Sequence, residues 1–67
     1  MTTIQETERV FSDDFRREVF MALVETQDNH VDVLESRTIV ASRFSISVEQ
    51  VKNIEREGLN QKWPPLN

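Results

Sequence analysis

A run of polar side chains at helical spacing, within "VEQVKNIEREGLN" at 48–60, is the part of this chain best suited to chemistry. At about 100° per residue, one side of a helix with this sequence carries two bases, one acid and two amides. These residues are Glu49, Lys52, Asn53, Arg56 and Asn60. Such a set can hydrogen-bond the base edges and phosphates of a nucleic-acid groove. A helix face in solvent has a similar composition, so the pattern alone leaves both interpretations open.

Residue types that catalysis or metal binding would need are scarce. The chain has no cysteine, and its one histidine, His30, has no second histidine beside it. A single glycine argues against a phosphate-cradling loop. Asp13 and Asp14 stand at a predicted helix start, where the helix dipole accounts for acidic residues. We therefore expect no enzyme, no metal site, no cofactor and no small-molecule substrate.

Charge is distributed unevenly along the 67 residues. Residues 1–35 carry nine acids and three bases, whereas residues 36–67 carry three acids and five bases, for a formal net charge of −4. The less acidic half contains the polar helix, which favours a nucleic-acid partner despite the overall sign, although small soluble domains are often lopsided in charge. No apolar run approaches the roughly 18 residues of a membrane span, and "MTTIQETERV" lacks the layout of a signal peptide. The sequence thus predicts a cytoplasmic protein with no membrane partner.

Hydrophobic spacing predicts an all-α fold of three to four short helices in one domain at 12–67, after a flexible tail at 1–11. The first helix is expected at about 13–27, capped by Ser12 or Asp13. Its buried stripe is Phe15, Val19, Ala22 and Leu23. His30 falls in the loop that follows.

Two further helices are expected at about 36–44 and 48–60. Ser47 and Gln50 have the spacing of a capping box at the start of the third helix. Ser36 and Thr38 are candidates to cap the second helix or to bond a phosphate, and capping is the first choice. The proline pair at 64–65 ends the helical region.

Small and apolar residues between 36 and 60 have the spacing of a helix-turn-helix. Ala41 is the small residue where the helices would cross, and Ser45 is the compact turn residue, where glycine is usual. Ile46 would plug the turn. Val51 and Ile54, one helical turn apart, would anchor the third helix inward.

The stretch "VASRFSISVEQVKNIEREGL" resembles the C-terminal, fourth conserved region of housekeeping bacterial sigma factors. The shared residues are Phe44, Ser47, Glu49, Val51, Lys52, Ile54, Glu55 and Leu59. In that family the third helix enters the major groove of a promoter element, and the same domain docks on the flap of the RNA polymerase β subunit. The resemblance therefore implies a DNA-binding helix-turn-helix that works in bacterial transcription.

By matching positions, the resemblance implies a role for each residue of the third helix. Glu49 would accept a hydrogen bond from a cytosine amino group, Lys52 would bind a phosphate or a guanine, and Asn53 would pair with adenine. Two positions depart from the family pattern. Val48 replaces an arginine that contacts a base, and Glu57 replaces a residue that is commonly basic, so a lower DNA affinity is expected.

On the second helix, Arg37 and Arg43 are candidates for phosphate contacts, which position a protein on DNA without reading sequence. Each is equally well placed on the surface or as an ion-pair partner of Glu35 or Glu55. The full set of predicted DNA contacts is Arg37, Arg43, Ser47, Glu49, Gln50, Lys52, Asn53 and Arg56.

At the C-terminus, "KWPPL" contains the chain's one tryptophan. Trp63 can fold back on the core, which is the first interpretation, or it can anchor a protein partner together with the stiff prolines. The predicted partner-binding residues are Trp63, Pro64, Pro65 and Leu66.

These observations predict a small DNA-binding transcriptional regulator that reads the major groove of double-stranded DNA through helix 48–60. With few bases a monomer should bind weakly, so a homodimer or a second protein would supply the missing affinity. The alternative is a protein-interaction module that binds RNA polymerase or a sigma factor without binding DNA. A homo-oligomeric structural domain with no nucleic acid is a third possibility.

Overall fold

Three helices make up the computed structural model, which describes residues 11–66: α1 (Asp13–Asp28), α2 (Val33–Phe44) and α3 (Val48–Gln61). Each helix packs against the other two, and this part of the chain contains no strand. The predicted all-α class is confirmed. None of the helices between residues 11 and 66 combines the length and the apolar character needed to cross a bilayer.

The start of α1 follows the predicted capping pattern. Ser12 is the N-cap, and its hydroxyl accepts a hydrogen bond from the Phe15 amide at 3.1 Å. Asp13 and Asp14 occupy the first turn, where the positive end of the helix dipole favours them. The tail predicted at 1–11 lies outside the described residues except for Phe11. That ring is half-buried and packs 4.9 Å, centroid to centroid, from Phe15.

Helix α2 begins at Val33, three residues before the predicted start. The expectation that Ser36 caps this helix is wrong, because Ser36 lies inside it and is fully buried. Its hydroxyl donates to the Val33 carbonyl and accepts from the Gln27 side-chain amide. Thr38 is also internal, and its hydroxyl donates to the Leu34 carbonyl. Serine and threonine favour N-caps, but inside a helix their hydroxyls can also bond a carbonyl of the preceding turn, so residue type alone does not place the start.

One buried cluster holds the three helices together. Its members are Val19, Phe20, Ala22, Leu23, Val40, Ala41, Val51, Ile54 and Trp63. Phe20 lies at the centre, with its ring edge-on to Trp63 at 6.0 Å and directly over the backbone of Gly58. Trp63 is 3% exposed, so the interpretation of this residue as core is the one that the structure shows.

The connection between α2 and α3 is Ser45, Ile46 and Ser47. Ser45 adopts the left-handed conformation, with φ 59°, and Ile46 donates its backbone N–H to the Ala41 carbonyl at 2.9 Å. Ile46 is partly buried and packs against the core, as predicted. The turn therefore has the geometry that glycine usually provides, adopted here by serine.

Substituting Ser45 by glycine should raise the free energy of unfolding by about 0.5–1 kcal/mol. A side chain in the left-handed region costs about 1–2 kcal/mol, and glycine removes this cost. Glycine also raises the conformational entropy of the unfolded chain, which cancels part of the stabilisation. Thermal unfolding followed by circular dichroism measures the change. Ser45→Val is the matched control and should be destabilising; a loss of stability in Ser45→Gly would contradict the reasoning.

Candidate nucleic-acid interface

The outer face of α3 is the polar surface predicted from the sequence. Glu49, Arg56 and Asn60 are exposed, whereas Lys52 and Asn53 are half-buried at its edges. The opposite face is closed, because Val51 and Ile54 are fully buried and Gly58 is buried against Phe20. Helical periodicity thus turns these polar side chains to the outside of the three-helix packing.

Side chains in the first turn of α3 form a complete capping box. The Ser47 hydroxyl accepts a hydrogen bond from the Gln50 backbone N–H at 3.1 Å, and the Gln50 side-chain oxygen accepts one from the Ser47 backbone N–H at 2.9 Å. The oxygens of these two predicted DNA contacts are therefore engaged within the helix. Their remaining donors, the Ser47 hydroxyl and the side-chain amide NH2 of Gln50, can still hydrogen-bond an external acceptor.

Arg37 pairs with an acid of α3 and does not extend freely into solvent. Its Nε and Nη2 atoms each lie 2.9 Å from Glu55 Oε1. The sequence left Arg37 open between a phosphate contact and a partner of Glu35 or Glu55, and the structure shows the pairing with Glu55. Glu55 therefore neutralises the positive charge of Arg37 within the domain.

Glu57 also turns inward, toward Arg16 of α1. Arg16 Nη2 donates to Glu57 Oε2 at 3.1 Å, and Arg16 Nε lies 3.0 Å from Glu57 Oε1 in an ion pair whose N–H is not directed at that oxygen. The same guanidinium donates to the Phe11 carbonyl and to Asp13. The Arg16 side chain is 7% exposed and that of Glu57 is 17% exposed. Glu57 therefore adds little negative charge to the outer face.

Sequence reasoning missed the role of Arg16. Its position gives a signal, because Arg16 stands three residues before Val19 and four before Phe20, on the apolar stripe of α1. A charged residue on a buried stripe needs a partner of opposite charge. That partner is far away in sequence, on another helix, and local spacing cannot identify it.

With Glu55 and Glu57 paired, unpaired cations outnumber unpaired acids on the surface of α2 and α3. Four cations of this region have no ion-pair partner among residues 11–66: Arg43, Lys52, Arg56 and Lys62. Two acids of these helices also have no ion-pair partner among residues 11–66: Glu35 on α2 and Glu49 on α3. A chain with a net charge of −4 thus presents a local surface that attracts anions.

Asn53 is less available than predicted. Its side-chain Nδ2 is buried, with no hydrogen-bond partner in the described part of the chain. To pair with a base, the amide would have to rotate toward the exposed side of α3. An unpaired buried amide is costly, and this cost favours such a rotation when an acceptor is present.

The C-terminal residues divide into two groups. Trp63 belongs to the core and donates its backbone N–H to the Gly58 carbonyl at 3.1 Å, while the Arg17 guanidinium lies 5.2 Å from its ring centroid. Pro64, Pro65 and Leu66 are exposed. Within residues 11–66 no group of acids and His30 has the arrangement of a metal site.

No protein-family model, curated protein or solved structure matches this chain. What the protein does has to be inferred from the geometry and charge of its own residues.

Proposed function

We propose that this protein is a small DNA-binding regulator of bacterial transcription, acting in the cytoplasm. In this proposal α2, the turn and α3 work as a helix-turn-helix, and α3 enters the major groove. The observation that supports it most strongly is a difference between the acidic and the basic side chains of α3. Glu55 and Glu57 are paired with arginines of α2 and α1, while the half-buried Lys52 and the exposed Arg56 have no ion-pair partner among residues 11–66.

The turn supports this proposal independently of charge. A helix-turn-helix requires a short connection that holds two helices at a fixed angle. The left-handed Ser45, the core-packed Ile46 and the small, buried Ala41 support a connection of this kind. The resemblance of this stretch to the fourth region of sigma factors points in the same direction.

Affinity should be modest, because phosphate neutralisation supplies most of it. If Arg43, Lys52 and Arg56 each contact one phosphate, the logarithm of the binding constant should fall against that of the salt concentration with a slope of about −3. Specific binding then needs a second protein or a homodimer whose two recognition helices are about one DNA turn apart.

A fluorescence titration of the protein against labelled genomic DNA fragments, at low and near-physiological salt, tests this function. Wild type should bind saturably and more weakly at higher salt. Arg56→Glu should abolish retention at near-physiological salt, because it replaces an outward cation of α3 with an acid. Arg17→Glu is the control for net charge: it makes the same change of charge on α1 and should bind nearly as wild type does. Because Arg17 also contacts the Trp63 ring, thermal unfolding checks that this variant remains folded.

Equal losses in Arg17→Glu and Arg56→Glu would mean that net charge, and not the α3 surface, governs binding. No binding of the wild type even at low salt would exclude DNA as the partner. The alternative of a module that binds RNA polymerase or a sigma factor would then be the one to pursue. Because Trp63 is buried, the exposed Pro64, Pro65 and Leu66 are the residues to substitute in that search.

A further inference from the structure

Val48, the first residue of α3, is an apolar side chain on an otherwise polar surface. It is 40% exposed, and it is not among the apolar residues that pack on the core. By helical geometry it shares a side of α3 with Lys52, one turn further along, and lies next to Glu49. Its methyl groups therefore border the surface proposed to face DNA.

The first turn of α3 offers few side chains to a ligand. Ser47 and Gln50 have their oxygens committed to the capping box. This leaves Val48 and Glu49 as the side chains of that turn with no hydrogen bond within residues 11–66. In helix-turn-helix proteins the N-terminal residues of the recognition helix contact the base edges.

We propose that Val48 is a specificity-determining residue that contacts the C5-methyl group of a thymine in the major groove. The proposal rests on the DNA-binding function inferred above. Thymine is the one base that presents a methyl group in this groove, and small apolar side chains are its usual partners. The valine side chain has no hydrogen-bonding group, so apolar contact is the interaction by which it can distinguish one base pair from another.

The test uses duplexes enriched from a randomised library by the full-length wild-type protein. The tightest duplex is then synthesised with deoxyuridine in place of each thymine in turn, which removes one methyl group and keeps every hydrogen bond. At one position this change should weaken wild-type binding by about 3- to 5-fold, the effect of one buried carbon. Val48→Ala should bind the original duplex more weakly and should show a smaller preference for thymine over deoxyuridine at that position, because the alanine methyl group reaches less far than the valine methyl groups.

Leu59→Ala is the matched control, because it removes another exposed apolar side chain of α3 (53% exposed) near the other end of the helix. It should retain the full thymine preference of the wild type. Thermal unfolding of both variants checks that each remains folded.

Three results would overturn the proposal. A thymine preference that survives unchanged in Val48→Ala would assign it to another residue. DNA binding with no deoxyuridine effect at any position would show that no methyl group is read, and the proposed DNA-binding function would still stand. Failure of the wild type to enrich any duplex and to bind genomic fragments would reject both proposals together.

Discussion

Gly58→Ala is expected to lower the free energy of unfolding by about 2 kcal/mol, although alanine is the better helix former. A Cβ at this position would lie 2.7 Å from Phe20 Cγ and would overlap two further atoms of the same ring. Phe20 is fully buried between Trp63 and α3, so its ring cannot move aside without displacing the core. Overpacking against a ring that cannot move should cost about 3 kcal/mol, the upper end of the usual range, and the gain of about 1 kcal/mol in helix propensity leaves a net loss of about 2 kcal/mol.

Thermal unfolding by circular dichroism measures the effect, and in a domain of this size 2 kcal/mol corresponds to a fall in Tm of about 8–16 °C. Asn60→Ala is the control, since it makes an exposed position on the same helix into alanine and should leave stability unchanged or slightly raised. If the overlap is the cause, Phe20→Leu combined with Gly58→Ala should be more stable than the sum of the two single changes predicts. A Gly58→Ala protein as stable as Asn60→Ala would show that the core can repack freely.

Local signals in the sequence were sufficient for most of the helical framework. The Ser12 cap and the Ser47–Gln50 capping box both depend on residues three positions apart, and both are present in the structure. Spacing within one helix likewise identified Val51 and Ile54 as buried anchors. The start of α2 was misplaced because Ser36 makes its bonds inside a helix and not at its end.

Features that depend on two helices meeting could not be predicted in this way. Gly58 is the one glycine of the chain, and an isolated glycine in a helix often has a packing reason. Its partner, Phe20, is identifiable only once α1 and α3 are placed together. The inward direction of Glu57 has the same origin, because Arg16 lies 41 residues earlier in the chain.

This difference matters for the candidate interface. From the sequence alone, Glu57 is an acid that is expected to weaken DNA binding. Paired with Arg16 it is half-buried, and its carboxylate contacts α1. The charge that DNA would meet is set by which acids the neighbouring helices neutralise, and a sum over the sequence does not contain that information.

Removal of the Glu57 carboxylate should therefore destabilise the fold strongly, even though it brings the net charge closer to zero. In Glu57→Ala the guanidinium of Arg16 stays buried, and its remaining hydrogen-bond acceptors are Asp13, whose side chain is 68% exposed, and the Phe11 carbonyl. Breaking a buried ion pair from one side costs about 3–5 kcal/mol. We expect about 2–3 kcal/mol here, because Asp13 remains and Glu57 is not fully enclosed.

Glu49→Ala is the matched control, with the same change of charge on the same helix at an exposed position. Chemical denaturation should show a loss of no more than about 1 kcal/mol, from the interaction of Glu49 with the helix dipole. In the double variant Arg16→Met with Glu57→Leu, no charge is left buried, and stability should return to near the wild-type value. If Glu57→Ala proved as stable as Glu49→Ala, the Arg16–Glu57 pair would not hold α3 in place, and Glu57 would have to be counted again among the charges that repel DNA.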